Sequence, residues 1–235
     1  RLAHSPLTGT AVLRVALLRR LAPPTPPARW RGRKPWKDCG RVSGLIHPNW
    51  DKVPGKITEG YSLEMTAKDH AALHETASHI PPETPVSVTF LPGEAQDARV
   101  AAAVAVRTLG FEPMPHFSVR RITSEDDFTS YLQAVVKEAD VRRCFIVAGD
   151  PAQPEGPYFD TMALLQTGAF EEAGMAAIGI GGHPEGHPHM SSQQCWDVLE
   201  LKIAEISRRG MAPLIVTQFA FDAEACLNWL VQLRA

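Results

Sequence analysis

Four cysteines, Cys39, Cys144, Cys195 and Cys226, are spread so that no two are near neighbours and no C-x-x-C pair occurs. That spacing speaks against a disulfide framework and for a reducing compartment. No apolar run approaches the ~20 residues that a membrane helix needs. Aromatic residues are scarce, at 7%. A net charge of −2 is not that of a chain that binds nucleic acid along its whole length. A dinucleotide fingerprint is missing as well. The stretch "GIGGHP", residues 179–184, starts like G-x-G-x-x-G but puts Pro184 in the third glycine's place. No acidic residue occurs before Asp38.

That last absence is half of an asymmetry. Residues 1–60 carry 12 Lys/Arg against three acids, about +9, while residues 61–235 carry 12 against 23, about −11. A proline-rich break runs from Pro23 to Pro27. The first 60 residues read as a basic, Pro-rich extension or linker. The same composition suits an organelle transit segment, and an arm for nucleic acid or a membrane surface is a third reading. The chain is expected in the cytoplasm, or in an organelle matrix on the transit reading.

From residue 61 the pattern changes. Six short apolar runs appear: "YSLEM" (61–65), "VSVTFL" (86–91), "EPMPHF" (112–117), "CFIVAG" (144–149), "AAIGIGG" (176–182) and "PLIVTQF" (213–219). A helical stretch follows each, among them "YFDTMALLQTGAFEEAG" between the fourth and fifth. Ser124, with Asp127 three residues on, is an N-cap signal. Gly110, Gly174 and Gly210 stand where a left-handed residue ends a helix. Ala101, Val104, Ala105 and Leu109 are expected to form one apolar stripe.

Strand alternating with helix six times means parallel strands with covering helices. The polar residues gather at the C-terminal ends of the runs: Glu64, Thr89, His116, Asp150, His183 and Gln218. Active sites of β/α barrels are built there. The expected fold is therefore α/β, of the (β/α)8 TIM-barrel type. Residues 61–235 form the barrel domain, with six of eight β/α units visible. Such an arc leaves two sheet edges open. A homo-oligomer, or a partner chain that closes the barrel, is expected.

In order, "SLEM", "VSVTFLPGEAQDAR", "GFEPMPHFSVRR", "VAGDPAQPEGPYFDTMALLQTG", "IGIGGHPEGHP" and "IVTQFAFD" resemble the methylenetetrahydrofolate reductase family over roughly residues 61–230. These are flavin-dependent barrel reductases of one-carbon metabolism. The resemblance implies bound FAD, NAD(P)H as hydride donor and a small-molecule folate as substrate. No nucleic acid and no membrane partner is expected. It implies that Glu64 and Asp150 are the catalytic residues, Glu64 as the acid and Asp150 beside the flavin ring, tuning its electronics. It assigns Thr89, His116, Gly149, Asp150, His183 and His187 to the cofactor, and Gln218 to the pterin. A side-chain amide both donates and accepts, as a pterin edge requires. This chain departs from the pattern at "LEMT", at Ala148, where an arginine is common, and at His183, where a tyrosine usually stands. A non-catalytic folate- or partner-binding barrel, or a related tetrahydrofolate oxidoreductase, is the other reading.

The loop "GGHPEGHPH", residues 181–189, brings three histidines within seven positions. A metal site, a solvated loop and a flavin contact all suit such a cluster. Zinc would want three or four convergent ligands, and no thiolate or further carboxylate is obviously paired with the loop. The resemblance implies the flavin contact, and no metal is expected.

Overall fold

The computed structural model describes residues 60–234. The basic segment, with Cys39 and its assignment as an extension, lies outside the described residues. Six strands appear: β1 (Leu63–Met65), β2 (Pro85–Val88), β3 (Glu112–Ser118), β4 (Arg143–Val147), β5 (Ala177–Gly182) and β6 (Ala212–Thr217). Seven α-helices intervene or follow: α1 (His70–Thr76), α2 (Gln96–Thr108), α3 (Glu125–Ala139), α4 (Thr161–Leu165), α5 (Ala169–Glu172), α6 (Ser192–Arg208) and α7 (Ala223–Arg234).

All five ladders are parallel, and the spatial order is the chain order, β1 to β6. The order never reverses, so there is no switch point of a doubly wound sheet. Crossovers of one hand then carry the helices to one face. Phe117, Cys144, Ile146, Ile178 and Ile180 pack against those helices. The alternate positions, Met114, Phe145, Ala177 and Leu214, form a separate apolar cluster on the other face.

The sheet is curled into a half-barrel. Flat, six strands would hold the edges about 24 Å apart at the usual strand spacing. Here Glu64 of β1 and Val216 of β6 line the same small cavity. Its interior has room for about one water molecule. Gly179 lets this face close: a Cβ there would lie 2.5 Å from the Phe145 ring. On the outer face, Phe117 meets Phe128, Tyr131 and Phe170 at ring separations of 5.8, 4.9 and 5.4 Å. Phe117, Phe128, Tyr131, Tyr158 and Phe170 thus form one buried aromatic group. Trp229 of α7 stacks on Trp196 of α6 at 5.3 Å.

Local signals hold where they are purely local. The Asp127 N–H donates to the Ser124 hydroxyl at 3.0 Å, and Gly110, Gly174 and Gly210 all have positive φ. A capping box of Ser191 and Gln194 starts α6. The expected stripe on α2 is corrected. Ala101 is exposed, and the buried face consists of Arg99, Val100, Ala102, Ala103 and Val106. Alanine marks neither face of a helix strongly, so a run of alanines misplaces the stripe by about one position. The stretch expected as one helix from Tyr158 to Gly174 is two short ones. Gly168, left-handed at φ 86, separates them.

Arg209, at the end of α6, ties three elements together. It donates to Glu205 at 2.7 Å, to Glu171 of α5 and to the Gln166 carbonyl just after α4. Hydrogen bonds from Arg208 first, and from Arg209, hold the Glu205 carboxyl down to about 2 from the ordinary 4.5, against the opposing effect of burial. A depressed carboxyl stabilises the fold above its unfolded value and loses that contribution as pH falls through the folded one. The stability difference between wild type and Glu205→Gln is therefore expected to be constant above about pH 5 and to shrink as pH falls toward about 2. Urea midpoints for the two proteins across that range check it.

Candidate functional site

The strand alternation that builds the inner apolar cluster also selects which polar residues face inward. On β1 it is Glu64, on β2 Ser87 and on β3 His116, all lining the cavity. Register places Glu64 beside Ser87, and Ser87 beside Met114, one inward position below His116. The Glu64 carboxylate and His116 Nε2 are 3.9 Å apart, with side chains 16% and 9% exposed. The Phe145 ring lies tilted on the imidazole at 4.9 Å. This is a largely desolvated acid–imidazole pair inside the curl.

The other expected site residues lie at the rim. Thr89 follows β2, and both its N–H and its hydroxyl donate to the Met65 carbonyl, at 2.9 and 3.2 Å. It continues the first ladder beyond the strand. Gly149 turns the chain at φ 89, where a Cβ would collide with the Ser118 hydroxyl. Asp150 is set outward: its side chain is 93% exposed and 3.9 Å from Arg121, which also pairs with Glu155 at 3.4 Å. Arg120 straps the same loop, donating to the carbonyls of Pro151 and Phe159.

The loop after β5 gathers the histidines. The rings of His183 and His187 are 4.9 Å apart, and those of His187 and His189 5.8 Å. The His189 N–H donates to His187 Nδ1 at 3.1 Å. That bond requires an unprotonated Nδ1, so neutral His187 carries its proton on Nε2 and offers a donor there. Burial first, then neighbouring charge, pushes His183 and His187 below the ordinary 6.5. Part of that charge comes from Lys202 on α6. Lys202 is itself pushed below 10.5 by burial, which the Asp160 carboxylate opposes.

Glu185, in the middle of the loop, is a latch. Its carboxylate accepts from the Phe221 N–H at 3.1 Å and the Asp222 N–H at 2.7 Å. It thereby fixes the loop after β5 to the loop after β6. Asp222 in turn accepts from the Glu224 and Ala225 N–H groups at the start of α7. Gln218 follows β6, its N–H donating to the Gly182 carbonyl at 2.9 Å, with its side chain exposed. Phe219 and Phe221 are exposed beside it, their rings 4.8 Å apart.

Glu64 and His116 are thus brought together, as are His183 and His187. Asp150 is engaged by Arg121 instead. Lys202 and Glu185 are the additions. Lys202 was legible as a lysine in the helix after the histidine loop, but only the register of α6 shows that it faces the loop. Glu185 sat in plain view among the histidines, and its partners lie 36 and 37 residues away. Among the described residues, no three His, Cys, Asp or Glu side chains converge as a metal ion requires. No described helix is long and apolar enough to cross a membrane. No family model matches the chain.

Proposed function

We propose that this chain is a flavin-dependent reductase of 5,10-methylenetetrahydrofolate, forming 5-methyltetrahydrofolate with NAD(P)H as hydride donor. The six-stranded arc is then part of a (β/α)8 barrel. What supports the reading is that Glu64, Thr89, His116, the histidine loop and Gln218 lie on, or directly follow, β1, β2, β3, β5 and β6, toward one end of a parallel sheet. Barrel enzymes assemble their chemistry there.

The donor set fits a flavin dinucleotide. The Lys202 ammonium and the His187 Nε2–H suit phosphate or ribose oxygens, and His183 offers a flat ring for stacking. Bound there, the flavin would supply hydride to the folate carbon. Glu64 would hold a proton in the low-polarity interior and deliver it to folate N10, opening the five-membered ring so that the carbon accepts hydride. Burial favours such a protonated carboxyl. Gln218 would hydrogen-bond the pterin, and Phe219 would lie against its ring.

A second reading, a barrel that binds folate without reducing it, is favoured by one observation. Asp150, assigned beside the flavin ring, is outward and paired with Arg121. Titration of the purified chain with FAD separates the two. The expected result is quenching of flavin fluorescence with a saturable midpoint, weakened about tenfold or more by Lys202→Met, since a phosphate contact to a charged group is worth roughly 1.5–3 kcal/mol. Saturable binding of tetrahydrofolate with no flavin binding at any concentration would favour the second reading.

A further inference from the structure

The loop between β5 and α6 contains two successive turns, held in different ways. In the first, the Gly186 N–H donates to the His183 carbonyl at 3.1 Å, with Gly186 left-handed at φ 89. Glu185 ties this turn to the loop after β6 through the Phe221 and Asp222 N–H groups. In the second, the Met190 N–H donates to the His187 carbonyl at 3.4 Å, and His187 and Met190 form an isolated antiparallel bridge. The His189 N–H donates to His187 Nδ1 at 3.1 Å. Both bonds of the second turn therefore end on His187, and the shorter one ends on a titratable nitrogen. An imidazole nitrogen accepts only while it is unprotonated. Neutral His187 already holds a proton on Nε2, so the next one goes to Nδ1 and meets the His189 N–H, donor against donor.

We propose that the turn from His187 to Met190 is an acid-sensitive clasp, shut while His187 Nδ1 accepts the His189 N–H and released when that nitrogen takes a proton. The groups around His187 favour release once the proton is on. From its own loop come the rings of His183 and His189, at 4.9 and 5.8 Å. The loop's carboxylate, Glu185, is committed to backbone N–H groups. From α6 comes Lys202, a further cation, and Asp160 acts on Lys202. In the loop after β6, Asp222 is bound to the start of α7. Burial first, then His189 and Lys202, hold His187 below the ordinary 6.5. In the released turn the imidazole is more ordinary and takes the proton more readily. The shut form is thus fully favoured above about pH 6.5 and loses that advantage as pH falls through the lower midpoint of the shut form. The step adds one solvent proton at Nδ1 and hands the His189 N–H to water; nothing else is made or broken. The Nε2–H survives it. Under the flavin reading, on which this consequence alone rests, release moves that donor without removing it.

The test is an NMR titration of the full chain without flavin, following the His187 ring nitrogens and the backbone N–H of residue 189 together. It is run in wild type and in His189→Gln, which keeps the N–H but removes that residue's own titration. The expected result is one common midpoint, below 6.5, for protonation of Nδ1 and for loss of the amide's hydrogen bond. Solvent exchange of that amide, corrected for its intrinsic pH dependence, should quicken by about 2–10-fold across the midpoint, the worth of one hydrogen bond. Two variants fix the cause. His187→Asn puts a non-titrating acceptor close to the place of Nδ1 and should keep the turn shut in acid. His187→Phe keeps a ring without an acceptor and should show the acid behaviour at every pH. An amide that does not respond while the His187 ring titrates would overturn the clasp, and so would a neutral His187 found with its proton on Nδ1. A clasp that titrates as expected in a chain that never binds FAD would stand, while the flavin reading would fall.

Discussion

Glu64→Gln is expected to slow folate reduction by about 10²–10⁴-fold, the usual contribution of a positioned general acid. Reduction of the flavin by nicotinamide should change by no more than a few-fold, because no proton from Glu64 enters that half-reaction. The amide keeps the volume and polarity of the carboxyl, and Glu64 lines the cavity on the inner face of the sheet. Stopped-flow absorbance follows the two half-reactions separately. Equal loss in both would assign Glu64 to the fold and remove it from the chemistry.

Phe117→Ala is expected to destabilise the fold by about 3–5 kcal/mol, as removal of a fully buried aromatic ring does. Phe117 is 1% exposed and stands at the centre of the aromatic group. It touches Phe128 and Tyr131 from α3 and Phe170 from α5, so its loss opens a cavity bounded by two helices and the sheet. Leu164 and Leu165 are fully buried in the same cluster. Unfolding midpoints in urea measure the change. A loss below about 1 kcal/mol would show that the cluster repacks, contrary to the usual stiffness of protein interiors.

What the sequence disclosed follows the range of the interaction. Ser124 announces its helix because the cap spans three residues, and Gly110 and Gly210 announce helix ends because a left-handed residue is a local demand. The alternation in β3 shows that His116 and Met114 share a face, and strand-end placement marks Glu64. What stayed hidden depends on the chain meeting itself. The 3.9 Å approach of Glu64 to His116 requires the curl. The Glu185 latch requires two loops to arrive together. Asp150 points out into solvent, 3.9 Å from Arg121, a neighbour that only the fold brings near. The buried face of α2 was misjudged for a different reason: its alanines gave periodicity too little contrast to read.

Because each strand lies beside the one that precedes it in the chain, no ladder has to wait for a distant part of the sequence. Loop closure is cheap at these separations, and folding speed rises as contacts become more local. Growth from a ribosome can then proceed like tiling: β1 and β2 pair first, and every newly emerged strand finds its neighbour already laid. The convergence of β1 and β6 on a common cavity cannot form in this way and has to await β6. Glu64 and His116, carried by β1 and β3, would be in position before β6 arrives.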